Sequence, residues 1–164
     1  MATDALIRFP RLAAALQGYA EALKEAYRQN LIQSDRLASE QLLNSVDCEV
    51  RQDGTSIVVS VAVLEYWKYV EYDTRPHWPP PDALLRWIRV KPVLPRPMKD
   101  GRLPSERQLA YLIGRKISQV GTKGSHDLGN ALSAMRREWE VRIAEAAASD
   151  IIDSWRAVIT FVAR

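Results

Sequence analysis

Several features from which a function is usually read are scarce in this sequence. It has one cysteine, Cys48, among 164 residues. That excludes an internal disulfide framework and fits a reducing compartment. Its two histidines, His77 and His126, each stand among turn residues. A metal centre built from convergent His, Cys and acidic ligands is therefore not expected, nor is any cofactor. No apolar run approaches the roughly 20 residues needed to cross a bilayer, so no membrane partner is expected. The opening MATDALIRFPRLAAALQGY has a short apolar stretch broken by Arg8, Pro10 and Arg11, and does not read as a secretory signal. A soluble protein made in the cytoplasm is expected. Internal repeats and low-complexity segments are lacking as well.

Catalytic groupings are equally scarce. Ser125, His126 and Asp127 are the residue types of a nucleophilic triad, but they are consecutive, and neighbours cannot point at one another in a relay. The stretch Gly121-Thr-Lys-Gly-Ser125 lacks the phosphate-loop spacing and does not follow a strand. Two readings of it stay open: a helix-to-helix connector with positive φ at Gly121 and Gly124, or an anion site made of backbone N–H groups and Lys123. Carboxylate pairs such as Glu21 with Glu25 and Glu138 with Glu145 fall on outer helix faces, where they are solvated. The chain is not expected to be an enzyme.

What is there is concentrated between Tyr66 and Gly124. This stretch holds eight of the nine prolines, three of the five tryptophans and four of the seven glycines. Charge is uneven too. Residues 1–82 carry 8 basic and 12 acidic side chains, residues 83–126 carry 10 and 2, and the remainder 5 and 6. A cationic middle between mildly acidic ends favours acidic partners, either nucleic acid or a second copy of the chain.

Along the chain, the spacing of Leu12, Leu16, Tyr19, Leu23, Ala26 and Asn30 predicts a helix over 10–32. A second helical piece follows Ser34 as far as Leu42 or Leu43. Val46, Cys48 and Val50 alternate with charged residues, and Ile57, Val59, Val61 and Val63 form a second alternating run. Asp53-Gly54 between them is a hairpin signal, and it sets Cys48 on the core face as a small buried hydrophobe. Tyr66 to Tyr72 suits a short helical turn or a covered strand. His77 to Pro81 is extended by its prolines. A helix from Pro81 or Asp82 to Lys91 buries Leu84, Leu85, Trp87 and Ile88. After the proline-rich loop 92–104, Ser105 and Gln108 form a capping box that opens a helix. Its apolar face is Leu109, Leu112, Ile113, Ile117 and Val120, and Gly121 ends it. A last long helix carries Leu128, Leu132, Met135, Trp139, Ile143 and Ala146. The tail WRAVITFVAR is favoured as a final strand over a continued helix. The expected fold is α+β: a small antiparallel sheet built on a β-hairpin, packed against several helices, with long helices at both ends. It is read as a single domain, with N-terminal helices over 1–44, a motif-bearing core over 45–124 and the C-terminal segment over 125–164.

The strings YVEYDTRP (69–76), the proline link 78–81, the helix 82–90, AYLIGRKI (110–117) and GTKG (121–124) together resemble the tail-completion, or neck, proteins of long-tailed bacteriophages. That family shows Y-V-E-[FY]-G-T-[RK]-P, a proline-containing link, a helix, and A-[FY]-x-I-x-[RK]-K-I followed by G-[TI]-K-G. The resemblance spans residues 45–135. Asp73 stands where the family has glycine, and Ser125-His126 stand where Pro-Phe often follows.

The resemblance implies a structural virion protein rather than an enzyme. It would form part of a ring at the head–tail junction and complete the tail for joining to the DNA-filled head, being assembled in the host cytoplasm. Its expected partners are other copies of itself and neighbouring neck, portal-side and tail proteins, with non-specific contact to phage DNA. A ring needs head-to-tail contacts, which a basic middle and acidic flanks suit. The stiff segment with Arg75, His77 and Trp78 is the expected subunit interface, Trp78 being either an interface anchor or a cover for its own core. Arg115, Lys116 and Lys123 are the expected contacts to DNA in the lumen. The alternative is a sequence-independent nucleic-acid-binding accessory protein, supported by the basic segment interleaved with Trp87 and Tyr111.

Overall fold

The periodicities of the sequence become six helices and one antiparallel hairpin in a computed structural model, which describes residues 9–34, 40–53, 56–91 and 93–162. The helices are α1 (Pro10–Gln33), α2 (Gln41–Ser45), α3 (Trp67–Glu71), α4 (Pro81–Val90), α5 (Glu106–Val120) and α6 (Asp127–Val162), and the strands are β1 (Asp47–Asp53) and β2 (Ser56–Ala62). The fold is α+β, as the patterning implies. Chain contacts divide it into two compact units. One comprises the described parts of 1–30, 45–63 and 128–164, and the other those of 31–44 and 64–127.

The first unit holds the hairpin and most of the two long helices. The strands pair with Asp47 opposite Ala62 and Asp53 opposite Ser56. Gly54, the predicted turn residue, lies outside the described residues. Val46 and Cys48 are buried while Asp47 and Glu49 are exposed, so alternation on β1 is as expected. On β2 it is weaker: Ile57 through Val61 are all half-buried, so both faces are partly covered. Ala20, Leu23 and Tyr27 of α1 are buried with Ala131 of α6. Each large side chain removed from water contributes about 1.5–3 kcal/mol.

Two features tie α1 to α6. Trp139 packs edge-on against Tyr19 with 5.7 Å between ring centroids, and a Cβ on Gly18 would lie 3.2 Å from its ring. At the start of α1, residue 9 is phenylalanine and cannot cap. The Leu12 N–H instead donates to Asp150 Oδ2 at 2.9 Å, and Arg11 bridges both Asp150 and Asp153. An orphan helix donor is thus satisfied by a carboxylate from a distant element, where the helix dipole also favours negative charge.

The predicted terminal strand is a correction: α6 continues through Val162. After Gly129 the sequence has neither glycine nor proline, so nothing interrupts the helical hydrogen bonds, and β-branching alone costs a helix little.

The second unit is built on α3, α4 and α5. The capping box is present as read: Gln108 N–H donates to Ser105 Oγ at 3.3 Å, and Ser105 N–H to Gln108 Oε1 at 2.9 Å. The inward stripe of α5 is rotated from the expected one. Ala110 and Gly114 are buried, whereas Leu112 and Val120 are exposed. A Cβ on Gly114 would stand 3.3 Å from Leu84 Cδ1 and 3.6 Å from the Trp78 ring. Small residues one turn apart therefore let α4 approach, with Leu109, Ile113 and Ile117 half-buried beside them and Leu112 and Val120 facing outward. The aromatic run at 67–71 forms the short helix α3 rather than a strand.

Candidate functional site

Within the second unit, the two motif segments are bonded to each other by backbone–backbone bonds and by backbone N–H groups reaching the side chains of Thr74 and Asp73. The Thr74 N–H donates to Thr122 O at 2.9 Å, and the Thr122 N–H returns to Thr74 Oγ1 at 2.9 Å. The two threonine hydroxyls meet at 2.7 Å. The Gly124 N–H donates to Asp73 Oδ1 at 2.7 Å, the Ser125 N–H to Val70 O at 2.9 Å, and the His126 N–H to Glu71 O at 3.1 Å. Asp127, buried at the start of α6, accepts from Ser125 Oγ at 2.6 Å and from Ser34 Oγ at 2.9 Å. YVEYDT and GTKG therefore act as one interlocked element.

This packing explains the glycines. Gly121 has φ of 72°, and a Cβ there would come within 2.0 Å of Thr74 O. Gly124 is not in the left-handed region, contrary to expectation. Its glycine is required by proximity, since a Cβ would lie 2.3 Å from Glu71 O and 2.6 Å from the Tyr72 carbonyl carbon. The non-glycine residue with positive φ among those described is His126, at 56°. Asp73, at the family's glycine position, is not there, and its carboxylate supplies the acceptor for Gly124. The loop is a connector: its N–H groups at residues 122, 124, 125 and 126 are spent on protein acceptors, so a backbone anion cradle has lost its donors.

The expected interface residues sit at the edge of this element. His77 N–H reaches Ile117 O on α5 at 3.4 Å, and its Nδ1 donates to Arg75 O at 2.8 Å. Both side chains are exposed. Trp78 is 50% exposed. One edge covers Gly114, while the ring tilts against Tyr111 with 5.7 Å between centroids. It is thus both a core cover and a surface aromatic. Beside it opens a cavity of about 340 Å³ whose walls include Pro79, Pro81, Leu85, Ala110 and Tyr111, with Asp82 and Arg107 also lining it. The pairing with Tyr111 was not anticipated. Its signal was available, since Tyr111 falls off the apolar stripe that a helix of this length should bury.

The three expected DNA contacts lie on α5 and on the loop that follows it. Arg115 and Lys116 are both exposed on α5. Residues three and four apart share a helix face, so Arg115 lies with Tyr111, and Lys116 with Ile113. Ile113 lines a second cavity of about 330 Å³ together with Trp87, Lys91 and Lys123. Both acids of the basic stretch are spent on bridges: Glu106 binds Arg89 at 3.0 Å, tying α5 to α4, and Asp100 binds Arg102 at 3.1 Å.

Elsewhere, burial pushes the Cys48 thiol above its ordinary value, the behaviour of an inert buried cysteine. Among the described residues, no three His, Cys, Asp or Glu side chains gather into a possible metal site, and no helix is long and apolar enough to cross a membrane. No protein-family model, no curated protein and no solved structure matches this chain.

Proposed function

We propose that this chain is a non-enzymatic structural protein of a phage neck, one subunit of a ring at the head–tail junction that completes the tail for joining to a DNA-filled head. The observation that carries the reading is the interlock of YVEYDT with GTKG. Motifs some fifty residues apart, named together on resemblance alone, have a shared physical reason: neither glycine admits a side chain while the segments stay bonded. The interlock holds the proline-stiffened Arg75–Pro81 segment against α5, pre-ordered and cheap in entropy to dock. The exposed half of Trp78, beside Tyr111, offers the kind of aromatic anchor that dominates interfaces. The charge division supports head-to-tail contacts.

The test is assembly. The protein, alone or in assembled tails, should give closed rings by mass measurement and electron microscopy. Trp78→Ala should keep its circular dichroism and lose ring formation or tail joining. A misfolded variant would assign Trp78 to the core alone; a folded one that still assembles would exclude it from the interface. The accessory DNA-binding reading draws on the excess of basic side chains over residues 83–126, where two acids neutralise only Arg89 and Arg102. A monomer binding duplex DNA with a steep salt dependence would favour that reading instead.

A further inference from the structure

The loop between α4 and α5 carries an unusual side chain. Leu94 is 94% exposed, and Leu103 on the returning arm is 62% exposed. Between these two leucines, residues 98–102 are bonded among themselves. Met98 N–H donates to Arg102 O at 2.8 Å, Gly101 N–H to Met98 O at 2.9 Å with Gly101 at φ of 77°, and Asp100 Oδ1 accepts from Arg102 N–H at 3.1 Å. Pro95 and Pro97 hold the residues before them, Leu94 and Arg96, in extended geometry. The result is a short stiff arm, Leu94-Pro95-Arg96-Pro97, that displays an apolar side chain and, two residues on, a cation.

The Trp78–Tyr111 cavity has the complementary chemistry. A lining of aromatic, proline and aliphatic side chains is what an extended proline-containing segment docks against, and Asp82 offers a carboxylate for one cation, with Arg107 the cation already on the lining. Leu94 does not line the cavity of its own chain. A second copy can bring the two together, and a contact between different patches of identical subunits is what propagates a ring.

We infer that the Leu94–Pro97 arm of one copy seats in the Trp78–Tyr111 cavity of the next, with Leu94 as the anchor and Arg96 facing Asp82. This rests on the ring reading and names the contact that builds it.

The test is directed cross-linking between two full-length variants, Leu94→Cys and Arg107→Cys, the latter on the cavity lining. Cys48 is buried and does not compete. Under mild oxidation, the mixture should give a disulfide-linked dimer at several-fold higher yield than either variant alone, or than Leu94→Cys mixed with Gln119→Cys on another face of α5. Adding Arg96→Asp to the first chain, or Asp82→Arg to the second, should lower the yield, and combining the two reversals should restore it. A yield no higher than that of the Gln119→Cys control overturns the inference. The mass of the wild-type assembly is measured separately. Rings without the cross-link remove this contact and leave the ring reading standing; a cross-link without rings supports the contact and removes the ring.

Discussion

The two units are held by different kinds of contact. In the hairpin unit, side chains join α1 to α6 and to β1: Trp139 on Tyr19, Asp150 on Arg11 and on the Leu12 N–H, and Lys24 on Asp47 at 2.9 Å. In the motif-bearing unit, backbone groups of residues 122–126 are bonded to residues 70–74, three times to backbone and twice to the side chains of Asp73 and Thr74, and two glycines leave no room between the chains. Side-chain contacts give way gradually, because neighbours and rotamers adjust. Where a glycine packs directly on backbone, as Gly121 and Gly124 do, no rotamer can make room. The second unit should therefore be intolerant of single atoms at a few positions, and the first graded in its response.

The largest effect should come from Gly124→Ala. One methyl group meets the Glu71 carbonyl and the Tyr72 backbone, so the interlock must open, at a cost of about 3 kcal/mol or more. Urea denaturation would show this. A loss below about 1 kcal/mol would mean that the segments can slide apart, and the contrast between the units would fall.

Asp150→Ala comes next. It leaves the Leu12 N–H without its acceptor and Arg11 with Asp153 alone, for a loss of about 2 kcal/mol. Asp150→Asn keeps an acceptor and should fall between Ala and wild type. That intermediate value is the graded response the comparison demands, and thermal melts of the three proteins would measure it.

Ser105→Ala removes one half of the capping box and should cost about 1 kcal/mol. Urea denaturation would measure this, and an unchanged midpoint would mean that the box adds nothing to α5 in solution.

The smallest effect concerns Lys24 and Asp47. The Lys24 hydrogen bond and charge hold the Asp47 carboxyl below its ordinary value, and the same pair raises Lys24. A depressed carboxyl adds stability that is present above the ordinary carboxylate pKa, about 3.9, and is lost as pH falls through the lower folded value. The melting difference between wild type and Asp47→Asn should be small at neutral pH and close in acid. A difference that grew in acid would mean the pair is not formed in solution.

Much of the fold was legible because its signals are local. The capping box needs Ser105 and Gln108, the hairpin its alternating β1 residues, and α4 its Leu84–Ile88 pattern. What was not legible depended on tertiary contact. Leu112 and Val120 are larger than Ala110 and Gly114, yet it is the small pair that is buried, and a Cβ on Gly114 would already crowd Leu84 of α4. The tail's β-branched residues suggest a strand only when their unbroken helical context is ignored. Gly121 and Gly124 were read as a matched pair of left-handed residues; one is, and the other is a glycine because a carbonyl lies where its side chain would be. For the candidate site, Trp78 was visible as an exposed aromatic, but its partner Tyr111, on another element, became visible only when the two elements met.

The carboxylate that caps α1 is 138 residues downstream of the N–H group it receives. During synthesis at about 5–20 residues per second, the first turn of α1 would wait roughly 7–28 seconds for its cap to emerge. Over that interval both halves of the interlock, residues 70–74 and 122–126, are already made. The motif-bearing unit can close while the hairpin unit is still missing a helix. A released chain that ends just before Asp150 should therefore show protected amides at Thr74 and Thr122 and a frayed start to α1, so that the end first in sequence becomes the last to be secured.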